Sequence, residues 1–258
     1  MSARLAGVAM SGPLVFRALS GVPEVAPGAD LAALLWAAAE RSGVTLAHGA
    51  LAICQKIVSK AEGRLVELRT LEPRDEARRI AEEDGKDPRH IEAILRETKR
   101  VVRRGKGVLI CETAHGFVCA NAGVDLSNAP GDDVAVLLPL DPDASAARIH
   151  AGLLARGAGP LGVIVTDTFG RPWREGLVDV ALGCAGLQPL DDLRGSTDLR
   201  GRTLQVTTIA TGDALAAAAG LLMRKDAGIP AVWIEGIPLG TPAPARVLLR
   251  DPKLDLFR

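Results

Sequence analysis

The sequence predicts an α+β fold, built from mixed sheets with flanking helices. Three observations carry that reading. Two apolar runs in the middle of the chain, residues 108–111 and 117–120, are separated only by "ETAHG" and read as a hairpin-like pair of strands. Apolar runs and helix-like segments alternate through the C-terminal half. Two longer apolar runs, residues 31–39 and 214–223, each follow an aspartate, Asp30 and Asp213, a residue type that caps helix N-termini. Hairpins beside alternating units favour a mixed arrangement over a doubly wound parallel sheet.

In chain order, residues 50–54 form a short apolar strand that leads into the polar "QKIVSKAEGR". Residues 72–104 are rich in charge and place Ile80, Ile91, Ile94, Leu95 and Val101 at helical spacing. They read as two helices parted near residues 85–88, with a solvated charged face. "NAGVDLSNAPGDD" is a polar, turn-rich loop, followed by a strand at 134–138 and an amphipathic helix at 144–155. "VIVTDTFGRPWREG" opens as a buried strand, residues 163–165, and closes on charge. Residues 204–210, the helix after Asp213 and residues 231–235 complete a strand–helix–strand unit.

Composition removes several function classes. The 258 residues, 48% of them apolar, suffice for a proper core. Lys and Arg total 31, as do Asp and Glu, so no basic excess points to nucleic acid. Aromatics are 3% with no tyrosine, which disfavours a base-stacking platform. Cys54, Cys111, Cys119 and Cys184 form no CxxC pair, and His48, His90, His115 and His150 are scattered, so a zinc site is not expected. Free thiols suit a reducing cytoplasm. Residues 1–10 make a poor signal peptide, and no apolar run approaches a membrane span.

Four motifs bear on chemistry. Residues 157–162 match G-x-G-x-x-G but follow a helix and open into a strand, the reverse of the dinucleotide fingerprint, so they read as a helix C-cap and turn. No P-loop pattern exists. Lys56 and Lys60, four residues apart after a strand, either form a solvated helix face or grip phosphates as point charges. Asp125 and Asn128 in "GVDLSN" suit an Asx-turn equally well as a binding loop. Asp167 with Thr168 is the sharper pair. A carboxylate at the end of an apolar strand is costly unless paired or metal-bound, and acid plus hydroxyl is a hard-oxygen set suited to Mg²⁺ or Mn²⁺. A strand ending there and turning at residues 170–172 would put Arg171 and Arg174 beside it, ready for an anionic substrate.

"QKIVSKAEGR", "CANAGVDLSN", "VIVTDTFGRPWREG" and "GIPAVWIEG", in this order and spread over nearly the whole chain, resemble the coenzyme F420:L-glutamate ligase family, the gamma-glutamyl ligases of the deazaflavin cofactor. The resemblance implies a cytoplasmic ligase that adds L-glutamate to the cofactor precursor with GTP, a divalent Mg²⁺ or Mn²⁺ ion and potassium. It also implies a fold particular to the family and an intertwined homodimer, with residues 1–258 as one catalytic unit or two subdomains. It makes Asp125, Asp167 and Thr168 metal ligands, with Asp125, Asp167 and Lys60 carrying the chemistry. Gln55, Lys60 and Asn128 become nucleotide contacts, and Val22, Pro23, Glu24 and Val25 become a nucleotide loop. Arg171 and Arg174 are candidates for the precursor's phosphodiester or for glutamate. Two positions depart from many relatives: Arg224 stands where a glycine is expected, and Lys225 where some carry glutamine. The additional flavin-binding domain of some relatives is not expected here. A metal-dependent GTP phosphohydrolase and a non-catalytic nucleotide-binding protein are the alternative readings of the same residues.

Overall fold

The computed structural model describes residues 12–105 and 107–255; residues 1–10, read above as a poor signal peptide, lie outside the described residues. Strand β1 (Val15–Leu19) precedes helix α1 (Leu31–Arg41), whose cap is Asp30, accepting from the Ala33 amide at 3.0 Å. Leu31, Leu35, Ala38 and Ala39 form its buried stripe, the spacing of one helix face. Strand β2 (Gly49–Cys54) turns without a loop into helix α2 (Gln55–Ala61), and β3 (Leu65–Glu67) follows.

The charged region holds α3 (Asp75–Asp84) and α4 (Pro88–Arg96). They are parted by Gly85 at φ 64 and restarted by the Asp87 cap with Pro88 at the first position. The sequence reading carried helix to residue 104, but β4 (Thr98–Gly105) is a strand. Its β-branched Thr98 and Val101 pair with Thr113 and Cys111 of β5 (Val108–Thr113), and that pairing overrides local helical spacing. β6 (Val118–Ala120) and β7 (Val134–Val136) are shorter than their apolar runs.

Helix α5 (Pro142–Ala155) is capped by Asp141. The glycine-rich stretch after it does close the helix: Gly157 has φ 97 and donates to Leu154 O. Strand β8 (Leu161–Arg171) is much longer than expected, and its partner β9 (Arg174–Ala185) is a strand the sequence reading did not anticipate. The strand continues through Asp167 and Thr168, and the turn is Pro172–Trp173, with Trp173 at φ 58. β10 (Asp191–Asp192) and β11 (Thr208–Ile209) pair with each other, so only two residues of the strand expected at 204–210 are extended. Helix α6 (Thr211–Gly220) starts two residues before Asp213, which is therefore no cap; its carboxylate accepts from the Ala181 amide instead. β12 (Ala231–Glu235) is the last strand.

The principal sheet has the order β1-β12-β2-β8-β9, antiparallel except for the central β2/β8 pair. One core joins α1 and α5 to a face of this sheet through Leu35, Leu153, Val163 and Val165. A second joins α6 to the opposite face through Leu215, Ala216 and Ile164. A third lies under α3 and α4 against β5. Trp233 is fully buried beside Gly49, where a Cβ would stand 2.5 Å from the indole ring. The architecture is mixed α+β, as expected. Among the described residues, no helix is long and apolar enough to cross a membrane.

Candidate active site

β2 and β8 run in parallel and separate at their C-terminal ends. Cys54 pairs with Thr166, after which β2 becomes α2 while β8 goes on, bonded only to β9. A crevice at the carboxyl ends of parallel strands is where open sheets of this kind hold ligands. Here it is a cavity of about 980 Å³. Its walls are the 22–25 loop, the β2–α2 junction, the loop after β6, the outer part of the β8–β9 hairpin and residues 223–230.

The lysines are not a solvated face. Lys56 is 8% exposed and Lys60 6%. Lys56 Nζ donates to Ser127 O at 3.0 Å and Ser127 Oγ at 2.6 Å, and lies 2.8 Å from Asp125 Oδ2. Those three contacts match the three ammonium protons. Lys60 Nζ lies 2.5 Å from Glu24 Oε1, a largely exposed side chain on the opposite wall. Lys60 thus tethers the 22–25 loop to α2.

Asp125 does form the Asx-turn: its Oδ1 accepts from the Ser127 amide at 2.8 Å. Burial alone would raise this carboxyl, but hydrogen bonds from Lys56 and Ser127 outweigh burial and hold it down at about 2. Lys225 Nζ stands 3.6 Å away. The loop is strained where it enters the site, with Asn121, Ala122 and Asn128 all at positive φ of 52 to 56. Asn128 lines the cavity and reaches Lys225 O at 3.5 Å.

Asp167 is the opposite case. Burial pushes its carboxyl up to about 7; the Thr168 amide and the Lys56 charge pull it down, while Asp125 and Asp179 add to the rise. Next to it, the Thr166 hydroxyl is buried without a hydrogen-bond partner. Thr168 Oγ1 donates to Asp179 Oδ1 at 2.7 Å. Burial raises Asp179 as well, against the Thr168 hydrogen bond and the Lys225 charge.

The remaining candidates divide. Val22, Pro23, Glu24 and Val25 line the cavity, as do Arg224 and Lys225. Gln55 is buried and accepts from the Ser59 hydroxyl, so it supports α2 from behind and does not line the space. Arg171 and Arg174 sit exposed at the hairpin tip beyond the cavity lining, because β8 runs five residues past Thr166 before turning. Arg171 donates there to Glu175 O. Sequence reasoning missed the cavity-lining Asp179, Cys54 and Cys119. An acid inside the apolar "LVDVAL" was the available signal for Asp179. Burial pushes the thiols of Cys54 and Cys119 up to about 11 and about 12, so neither is a thiolate nucleophile.

The donor set suits a magnesium-type ion. Among the described residues, no three His, Cys, Asp or Glu side chains converge enough to cage a metal. Mg²⁺ and Mn²⁺ sites that serve nucleotides use one or two carboxylates and are completed by phosphate oxygens and water. A half-buried carboxylate with no hydrogen-bonded cation among the described residues, an orphaned hydroxyl and a second acid across the crevice fit that sparse class.

Comparison with known proteins is consistent over most of the chain. A family model described as F420-0:Gamma-glutamyl ligase matches residues 21–236. The chain is similar to three proteins named coenzyme F420:L-glutamate ligase. The one from Methanothermobacter thermautotrophicus is 46% identical over 245 residues, covering 93% of this chain and 97% of the relative. The one from Methanopyrus kandleri is 47% identical over 242 residues, covering 91% and 94%. The one from Haloarcula marismortui is 42% identical over 248 residues, covering 93% and 94%.

Proposed function

Because the chain belongs to the F420-0:Gamma-glutamyl ligase family, we propose that it joins L-glutamate to the coenzyme F420 precursor, using GTP and an acyl-phosphate intermediate. The observation that carries the reading is one crevice whose lining brings the buried Lys56 and Lys60 together with Asp125, Asp167 and Thr168. Forming an amide from a carboxylate and an amine is uphill in water, so the carboxylate must be activated. The terminal phosphoryl of GTP passes to a carboxylate oxygen of the precursor, and GDP leaves. The glutamate amine then attacks the acyl carbon, the amide bond forms, and inorganic phosphate departs with the C–O electron pair.

Each residue has a task in this scheme. Lys60 exchanges Glu24 for a phosphate oxygen and neutralises it. Lys56 keeps Asp125 ionised and fixed. Asp125, Asp167 and Thr168 would hold the divalent ion, which would supply positive charge against the phosphoryl group in transfer. Asn128 and the 22–25 loop hold the nucleotide. Potassium is carried by family likeness alone, and no residue is assigned to it. Arg171 and Arg174 reach an anionic substrate only if it extends out to the hairpin tip.

The test omits GTP, Mn²⁺, glutamate and precursor in turn and reads products by mass. Glutamylated precursor, GDP and phosphate in equal amounts, only with all four present, is the expected result. Phosphate release without glutamate and precursor would make the protein a phosphohydrolase. GTP binding with no turnover would make it a nucleotide-binding protein.

A further inference from the structure

Thr168 and Asp179 are direct cross-strand partners on β8 and β9, and both line the cavity. Asp179 makes no ion pair within 4 Å among the described residues; its carboxylate accepts from the Thr168 hydroxyl, 2.7 Å from Oδ1. The carboxylate is also backed by the helix behind it. A Cβ on Gly220, the last residue of α6, would lie 2.8 Å from both Asp179 Cγ and Oδ2, so α6 packs directly on this carboxylate and a larger residue there would push it aside. The arrangement fixes one acid and aims one of its oxygens at one hydroxyl.

A threonine hydroxyl has one proton and two lone pairs. With its proton given to Asp179, it can only accept. It can serve a cation, and it cannot donate to a phosphate oxygen. We propose that Asp179 is a positioning residue that turns the Thr168 oxygen into a dedicated cation acceptor. The proposal rests on the reading above that a divalent ion binds beside Thr168.

The test measures Mn²⁺ affinity by calorimetry on the full chain, together with kcat and its dependence on Mn²⁺. The variants are Asp179→Leu, Asp179→Asn, Thr168→Val and the double variant Thr168→Val/Asp179→Leu. Loss of a partner that orients a metal ligand weakens metal binding by about 10- to 100-fold, and Asp179→Leu should show this, with kcat recovering at high Mn²⁺. Asp179→Asn still offers a carbonyl oxygen to the hydroxyl and should remain near the parent. The double variant should lose no more than Thr168→Val, since Asp179 acts through that residue. Losses that multiply in the double variant, an Asp179→Asn as poor as Asp179→Leu, or an unaffected Asp179→Leu would each overturn the proposal. Should Asp179→Leu not fold, Asp179→Ala, which equally removes the acceptor, takes its place with the same expected and overturning results. A parent protein that binds no Mn²⁺ with or without GTP would overturn the metal reading itself. A parent that binds normally beside an unaffected Asp179→Leu overturns only this inference.

Discussion

Lys56 and Asp125 are locked together across the mouth of the crevice, 2.8 Å apart, with Ser127 taking two more hydrogen bonds from the same ammonium. The pair joins α2 to the loop after β6. Lys60, one turn further on, instead meets an exposed glutamate that a phosphate can displace.

The two lysines should therefore fail differently. Lys60→Met should weaken GTP binding about 10- to 100-fold, the loss of a charge-assisted hydrogen bond worth roughly 1.5–3 kcal/mol. Lys56→Met strands the Ser127 carbonyl and the Asp125 carboxylate, which should cost about 1–3 kcal/mol of stability. Thermal melts and GTP titrations at one metal concentration separate the two. Parent-like GTP affinity in Lys60→Met would remove it from the nucleotide site.

Asp167→Asn should abolish turnover while leaving the fold intact. Its carboxyl is half-buried, burial raises it, and no cation among the described residues is hydrogen-bonded to it, so a neutral amide of the same shape should not lower the melting temperature of the metal-free protein. Metal affinity and turnover close to the parent would sink its assignment as a ligand.

Glu92 sets an acid limit on the α3–α4 unit. Burial raises its carboxyl, but hydrogen bonds from Arg74 and Arg96 prevail and bring it from 4.5 down to about 2. A depressed folded pKa means the contribution is complete above the unfolded value, near 4.5, and is lost as pH falls towards 2. Melting temperature should fall across that window, and Glu92→Gln should flatten the fall while lowering stability at neutral pH. An identical pH profile in the variant would refute the assignment.

Light scattering at micromolar concentration should give twice the chain mass. Leu177 on the hairpin, with Leu199, Val206 and Ile209 further along, are large apolar side chains left exposed in the single chain. Replacing Leu199 and Val206 with aspartate should shift the protein towards monomer. A monomer in the parent would remove the dimer.

Much of this was legible in the sequence. The Asp30 cap marked α1, Gly85 to Pro88 marked a helix break, and the order of apolar runs marked the mixed class, while the cap read at Asp213 is not one. The misses share a cause. β4 and the outer half of β8 look charged, and their strand character comes from a ladder partner that local spacing cannot show. The same error displaced Arg171 and Arg174 from the crevice. Lys56 and Lys60 looked solvated because their acceptors, Ser127 and Glu24, are 71 and 36 residues away. Asp167 was legible because an acid after "VIV" is conspicuous whatever it pairs with.

The strand order has a consequence for how the molecule is made. β12, among the last segments of the chain, lies between β1 and β2 and hydrogen-bonds to both. A nascent chain that has not yet extruded residues 231–235 has a missing plank in the middle of its sheet and two open strand edges facing it. Such non-local closure is slow and exposes pairing edges while it waits. Pro230, whose carbonyl accepts from Cys54, sits immediately before that plank, on the cavity wall. Ligand-binding competence should therefore appear late and all at once during synthesis, and chaperone dependence should concentrate in the interval before the C-terminal strand arrives.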